Sequence, residues 1–323
     1  MGRMKVGNWL QLNKMNQTNT VFLTALSIIF LGYFIKRKNI VSEEEGKIIT
    51  KLLMHSTFPA LMFVTMLRIH FEWNLLLLPL ISFCFSLITM ATAMYFFKDY
   101  SRKMKAMLIM GSGGFNLGLF AYPLIEGIWG QAGMVYAAMF DFGNSFAVFG
   151  LVYGTGVFMS DKNQGATITQ NTKKALFKII TLLPFQAILV GVFFNLTAIP
   201  LPQILLDILD VLAKGNKVIV LLIMGIYMNL SLSPDLLRNV AKVLSIRYFW
   251  GFLLGFLCFY FLPVEQLYRN VLLIVIIIPI GMTIIPFSNE LGYDTRLAGM
   301  LVNVSMLISF AMMWGLILGL HLA

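Results

Sequence analysis

The chain alternates long apolar runs with short polar clusters along almost its whole length. A helix needs about 20 mostly apolar residues to cross the roughly 30 Å hydrocarbon core of a bilayer. Because the runs approach this length, the pattern predicts an all-α, polytopic membrane protein with ten transmembrane helices. We number these spans 1 to 10, at residues 20–35, 48–67, 74–97, 106–128, 132–159, 176–196, 204–230, 247–263, 270–287 and 297–320.

Composition supports lipid as the surrounding medium. Of the 323 residues, 59% are hydrophobic and 12% are charged, whereas soluble domains carry about 25% charged residues. The apolar excess must face a lipid bilayer. Two cysteines exclude a disulfide-rich scaffold, and a net charge of +10 without a contiguous basic patch argues against nucleic-acid binding. Since neither an HExxH motif nor an aspartate-rich metal motif occurs, we expect no enzyme and no cofactor.

The basic residues predict the orientation of the chain. They gather after the odd-numbered spans, as in Lys36 to Lys38 after span 1 and Arg238, Lys242 and Arg247 after span 7, and few follow the even-numbered spans. Cytoplasmic loops carry an excess of Lys and Arg. We therefore expect a plasma membrane protein with both termini on the extracytoplasmic side. Residues 1–18 form an extracytoplasmic leader that lacks the apolar core of a signal peptide.

A polar linker at residues 160–174 is expected to divide the chain into two five-helix repeats, at 19–159 and 175–323. The linker is predicted to be cytoplasmic. Because five is odd, the two repeats have opposite orientations in the membrane. This is the arrangement of a 5+5 inverted repeat, which is common among secondary transporters.

Spans 4 and 9 contain the residues that break helices. Span 4 has four glycines and one proline between Gly111 and Leu124, and span 9 has two prolines. An offset of 163 residues superimposes Asn116 on Pro279 and Pro123 on Pro286. Ordinary kinks are one interpretation, because Gly and Pro are common in membrane helices. The matched positions favour broken helices that cross at a binding site, where half-helix N-termini suit an anionic group.

Two polar residues of span 5 follow these breaks. A carboxylate within a span costs about 2.5 to 3.5 kcal/mol, so Asp141 should have a partner or an aqueous path. It is a candidate for proton coupling, or alternatively forms a structural hydrogen bond to the backbone of span 4. Asn144 lies on the same helical face and could bind a substrate carboxylate.

Other polar residues have two interpretations each. His55 of span 2 either belongs to the core or faces the cavity, where it could contact an anion or carry a proton. Span 7 carries a stripe of two acidic and two basic residues, which either neutralise one another or offer a lysine to an anionic substrate. Arg68, Arg269 and Glu265 are expected only to solvate loops. The stripe consists of Asp207, Asp210, Lys214 and Lys217.

Several segments resemble the auxin efflux carrier family, the bacterial permeases related to plant PIN transporters. They are Asn116 to Leu124, Gly130 to Gly133, Asp141 to Asn144, Leu52 to Met66 with Phe58 to Leu61, and Pro279 to Asp294. The resemblance covers the chain from Asn19 onward. It implies a scaffold of spans 1, 2, 6 and 7 and a mobile transport domain formed by the other six. One departure is Lys217, which stands in span 7 where many members carry a proline.

The resemblance also implies transport of a small organic anion, such as malate, another dicarboxylate or lactate. A sodium-coupled carrier similar to bile acid symporters, a channel and a membrane-embedded enzyme are the alternatives. Proton coupling, sodium coupling and uniport stay open, as does a homodimer. The expected substrate-binding residues are Asn116, Pro123, Asn144, Pro279, Pro286, His55 and Lys217, with Asp141 for proton coupling.

Overall fold

A computed structural model describes residues 2–70, 72–160, 173, 177, 179–229 and 233–323. The central linker expected at 160–174 lies almost wholly outside these residues. The described chain is helical and contains no β-strand. Six of its helical segments are long and apolar enough to cross a membrane, and one of them, Glu43–Leu67, contains a break. The predicted all-α membrane protein is therefore confirmed.

Twelve helices organise the described residues. The fourth follows a short 3-10 turn at Trp73–Leu76, and the sixth contains two π-helical turns. Their bounds are α1 Gly2–Arg37, α2 Glu43–His55, α3 Thr57–Leu67, α4 Leu77–Phe96, α5 Arg102–Ser112, α6 Leu117–Met159, α7 Leu183–Thr197, α8 Gln203–Tyr227, α9 Pro234–Phe261, α10 Gln266–Val275, α11 Ile284–Leu291 and α12 Thr295–Gly319.

Two helices begin earlier than the hydropathy pattern indicates. Helix α1 begins at Gly2, so the expected leader and span 1 form one continuous helix. Span 8 was predicted to begin at residue 247, but α9 begins at Pro234. Proline is favoured at the first position of a helix because its missing N–H has no helical partner there. Four charged residues interrupt the first half of α9, at Asp235, Arg238, Lys242 and Arg247, and hydropathy alone therefore missed it.

Two interruptions shape the helices outside spans 4 and 9. Between α2 and α3, Ser56 leaves the helical region with φ −136° and ψ −82°. Pro59 explains this break, because proline offers no N–H to the carbonyl four residues earlier, which belongs to His55. Within α6, Gly130 has φ 60° and ψ −150° and marks a kink. Glycine adopts this conformation readily, and the kink divides α6 between predicted spans 4 and 5.

The helices pack as two groups. Helices α1, α2, α3, α7 and α8 contact one another extensively and form what we call the first bundle. Helices α4, α5, α6 and α9 to α12 form the second bundle, which meets the first mainly through α6. Gly225 brings α8 against α1, since a Cβ atom there would lie 2.0 Å from the Ile29 carbonyl oxygen. Close approach of this kind is typical of small residues between membrane helices.

Large apolar side chains cover the outside of both bundles. Aromatic residues lie exposed near helix ends, as Trp73 (81% exposed) before α4 and Phe261 at the end of α9 illustrate. Trp and Tyr concentrate at the two membrane interfaces in membrane proteins. The exposed surface therefore fits lipid, in agreement with the prediction from composition.

Candidate functional site

The two predicted breaks meet inside the second bundle. The first comprises residues 113–116 between α5 and α6, and the second comprises residues 276–283 between α10 and α11. The backbone N–H of Asn116 donates a hydrogen bond to the carbonyl of Pro279, with an N to O distance of 3.0 Å. Two residues that the sequence offset superimposes thus touch in the structure. We call this contact region the crossover.

The other two prolines lie outside the breaks. Pro123 is buried within α6, after the π-helical turn at Leu117–Ala121. Pro286 is exposed and is the third residue of α11. Proline is tolerated in a first helical turn because the N–H groups there have no helical partner. Each break therefore lies nearer the N-terminus than the segment expected from the sequence, which was 116–123 for the first and 279–286 for the second.

Asn144 of α6 satisfies the backbone of the first break. Its Oδ1 accepts a hydrogen bond from the Phe115 N–H at 2.9 Å, and its Nδ2 donates to the Phe115 carbonyl at 3.1 Å. The same Nδ2 donates to Asp141 at 2.9 Å. With 4% exposure, the amide is engaged by protein on both sides. The structure therefore places Asn144 beneath the crossover, as a support for its backbone.

Asp141 connects this support to the half-helix that follows the break. Its carboxylate accepts hydrogen bonds from Asn144 and from the Tyr122 hydroxyl, the latter at 2.8 Å. Tyr122 belongs to the first part of α6, whereas Asp141 follows the kink at Gly130. Asp141 is partly buried, and it reaches the break through Asn144.

Asn116 presents an unused hydrogen-bond donor at the crossover. Its Oδ1 accepts from the Leu119 N–H at 3.3 Å, as an N-cap of α6 does. The residue is 5% exposed, and within the described chain its Nδ2 has no acceptor. Buried polar groups are normally paired, and an unpaired one indicates a missing partner. The free donor lies at the N-terminal end of a half-helix, where the helix dipole favours negative charge.

Serine side chains satisfy the second break. Ser305 of α12 accepts from the Ile280 N–H at 3.1 Å, and Ser309 donates to the Ile277 carbonyl at 2.7 Å. The hydroxyl of Tyr248 on α9 hydrogen-bonds to Ser309 at 2.9 Å. Side chains thus satisfy the backbone of both breaks, through Asn144 on α6 for the first and through serines on α12 for the second.

Arg247 is a residue of the crossover that the sequence reasoning missed. Basic charge was interpreted there as a mark of the cytoplasmic interface, but Arg247 is 2% exposed and lies midway along α9. Its guanidinium donates to the Ser112 carbonyl at 2.9 Å and to the Ile278 carbonyl at 3.4 Å. The sequence did contain a signal that Arg247 lies inside a helix. Ser233 and Pro234 mark a helix start, and Pro234 is 13 residues before Arg247.

The two remaining candidates lie apart from the breaks. His55 is exposed at the end of α2, which contradicts the core interpretation, and its Nδ1 hydrogen-bonds to the Lys51 carbonyl at 2.8 Å. The Lys217 Nζ would lie 3.0 Å from a Cβ atom placed on Gly127, and it interacts electrostatically with Glu126. Gly127 is ten residues beyond Leu117, about 15 Å along α6 from the crossover.

Several charged residues that were expected to be solvated or to neutralise one another bind residues of other elements. Asp210 binds Arg68 at 2.7 Å, so Arg68 is more than the solvated loop residue that was expected. The same correction applies to Glu265, which accepts a hydrogen bond from Tyr136, and to Arg269, which donates to the Phe259 carbonyl at 3.3 Å. Within the stripe on α8, Asp210 and Lys217 therefore interact with neighbouring elements, which sequence spacing along one helix does not reveal.

Comparison with known proteins agrees with this architecture. A family model described as membrane transport protein matches residues 20–317. An uncharacterized transporter of Methanocaldococcus jannaschii is 24% identical over 318 residues, covering 92% of this chain and 98% of the relative. An uncharacterized transporter of Methanothermobacter thermautotrophicus is 24% identical over 312 residues, covering 94% of this chain and 99% of the relative. The chain belongs to the membrane transport protein family, that of the auxin efflux carriers.

Proposed function

We propose that this protein is a secondary transporter that moves a small organic anion across the plasma membrane by alternating access. The observation that carries the proposal is the crossover, where the buried Asn116 Nδ2 has no acceptor in the described chain. Malate, another dicarboxylate and lactate are the proposed substrates. Membership of a membrane transport family supports the transport part of this proposal.

Four features favour an anion at the crossover. Asn116 offers an amide donor, and the first turn of α6 offers backbone N–H groups that lack helical acceptors. The helix dipole places partial positive charge at the same end. Arg247 adds a buried positive charge, with its guanidinium carbon 5.0 Å from the centre of the Phe115 ring. A carboxylate would satisfy the free donor and complement this charge.

The proposed transport cycle uses the two bundles. In a ten-span chain with a 5+5 inverted repeat, α5 with the first part of α6 would be span 4, and α10 with α11 would be span 9. The first bundle would be the scaffold, and the second bundle, which holds the crossover, would carry the substrate. Phe58 of the first bundle packs against α6 near the crossover, 3.0 Å from a Cβ atom placed on Gly118. This contact marks the interface along which the bundles would move.

Asp141 is the proposed site of proton coupling. Its two described partners, Tyr122 and Asn144, both donate to the carboxylate, so a proton on Asp141 would compete with one of these bonds. Tyr122 lies on the half-helix that begins at Asn116, and Asn144 holds the break. Protonation of Asp141 would therefore change contacts on both sides of the substrate position.

Uptake into proteoliposomes tests the proposal. Purified protein is assayed with malate, malonate, lactate and indole acetate, under imposed proton and sodium gradients. We expect saturable uptake of at least one anion and accelerated exchange when the same anion is present inside. Flux that stays linear in substrate would indicate a channel, and failure of every anion to move or to stabilise the protein would refute the organic anion assignment.

The variant Asn116→Asp tests the proposed binding site with a small chemical change. It keeps the oxygen that caps α6 but replaces the free donor with a negatively charged oxygen. We expect the affinity for the transported anion to fall at least about tenfold, equivalent to 1.4 kcal/mol, while the protein stays folded. Asn39→Asp, at an exposed position between α1 and α2, makes the same chemical change and should leave uptake unaltered.

A further inference from the structure

Arg247 holds a position that the transport proposal alone does not explain. Its guanidinium contacts the carbonyl of Ser112, the last residue of α5, and the carbonyl of Ile278, which follows the end of α10. The Ser112 carbonyl borders the first break, and the Ile278 carbonyl lies within the second. One side chain therefore joins the C-terminal end of α5 to the unwound backbone that follows α10.

These backbone carbonyl groups create a region of negative electrostatic potential. The last carbonyl groups of a helix have no helical donor, and the macrodipole places about half a negative charge at that end. The Ser112 carbonyl is such a group, the Ile278 carbonyl is an unwound backbone acceptor, and the two together favour a cation. In transporters built from broken helices, carbonyl groups of this kind coordinate a coupling sodium ion.

The charge of Arg247 is not used in an ion pair. Within the described residues, no carboxylate lies at salt-bridge distance from its guanidinium. Its other contact is with the face of the Phe115 ring, at 5.0 Å, which is a cation–π arrangement. A buried charge in a membrane protein is costly and normally marks a functional position. The contacts of Arg247 are those of a cation bound by carbonyl dipoles and an aromatic face.

We propose that Arg247 is a tethered cation at the crossover, occupying the place that a coupling metal ion takes at carbonyl-terminated half-helices. It holds the two breaks together and supplies a fixed positive charge beside the substrate position. This inference rests on the proposed function and deepens it. Because the charge is covalently attached, no sodium ion is required at this point, and transport of the anion proceeds without a sodium gradient.

Three variants test the inference. Arg247→Ala removes the cation and leaves a space bounded by the two carbonyls, whereas Arg247→Lys keeps the charge. Arg238→Ala removes an exposed arginine of the same helix and is the matched control. Each purified protein is melted without substrate, with and without millimolar methylguanidinium, and then assayed for anion exchange in sodium and in choline medium.

The tethered cation makes specific predictions for these measurements. Wild-type exchange should change less than about twofold when choline replaces sodium, because the charge is built in. Arg247→Ala should lower the melting temperature by about 5 °C or more and reduce exchange at least about tenfold. Methylguanidinium should recover much of both losses, and it should have no effect on the wild type or on Arg238→Ala.

Several outcomes would overturn the inference. They are strict sodium dependence of the wild type, wild-type behaviour of Arg247→Ala, and loss in Arg247→Ala that methylguanidinium does not reverse. If Arg247→Ala does not fold, Arg247→Lys decides, because sodium-independent exchange supports the inference and acquired sodium dependence contradicts it. The melting measurements need no substrate. They therefore test Arg247 even if no organic anion is transported and the proposed function fails.

Discussion

The amide of Asn144 supports the first break. The loss of stability on removing it can be estimated from its hydrogen bonds. Asn144→Ala removes the acceptor of the Phe115 N–H and the donor to the Phe115 carbonyl, which are bonds of 2.9 and 3.1 Å. Phe115 is 3% exposed, so water does not readily replace these bonds. Both backbone groups of one residue in the break would then be left without this partner.

The expected destabilisation follows from the cost of unpaired groups. Each buried donor or acceptor that loses its partner costs about 1 to 3 kcal/mol, which gives about 2 to 6 kcal/mol for the pair. An unfolding entropy of about 2.1 cal/mol/K per residue gives about 0.7 kcal/mol/K for a chain of 323 residues. The melting temperature should therefore fall by about 3 to 9 °C.

Thermal unfolding of the purified protein in detergent measures this change. Ser145→Ala is the control, because the Ser145 hydroxyl donates only to the Asp141 carbonyl of its own helix. We expect the control to melt within about 1 °C of the wild type, since bonds of this kind contribute little to a helix. If Asn144→Ala also melts within about 1 °C of the wild type, Asn144 does not hold the break, and the reasoning is refuted.

Three further substitutions, the first with a matched control, test separate parts of the structure. Gly225→Ala places a Cβ atom 2.0 Å from the Ile29 carbonyl oxygen, and unfolding should show a loss of about 1 to 3 kcal/mol. Gly315→Ala, which meets open space, should show none. Asp141→Asn keeps the side chain's shape but cannot exchange a proton, so uptake should lose the rise at acidic external pH that proton coupling predicts for the wild type; an unchanged pH profile would argue against coupling there. Lys217→Met should alter apparent substrate affinity less than about threefold, whereas a tenfold weakening would return Lys217 to the site.

The helical membrane architecture was predictable because its causes are local. Span length, Gly and Pro content and helix-start residues all act within a few turns of the chain. The paired breaks are an example, since Asn116 and Pro279 were matched by sequence offset and touch in the structure. The break at Ser56 was also local, because Pro59 causes it, but hydropathy averaged over the whole of span 2 gave no sign of it.

The partners of the polar residues could not be predicted from spacing along one helix. Asn144 was expected to bind substrate, yet its amide is occupied by the Phe115 backbone. Asp210 pairs with Arg68 from another element. Arg247 was interpreted as an interfacial charge because its contacts, Ser112 and Ile278, are distant in sequence. These partners are set by how the bundles pack, which composition and periodicity do not contain.

Cysteine accessibility at the crossover tests the central claim most directly. Leu119→Cys, in a variant with Cys84 and Cys258 replaced by Ala, places a thiol in the first turn of α6 at a partly buried position. Ile40→Cys, at an exposed site between α1 and α2, is the control. The thiol at 119 should react with a membrane-impermeant reagent from either side of the membrane, and the transported anion should slow that reaction at least about fivefold without affecting position 40. Reaction at 119 from one side only, or at a rate that the anion leaves unchanged, would contradict an alternating-access site at the crossover.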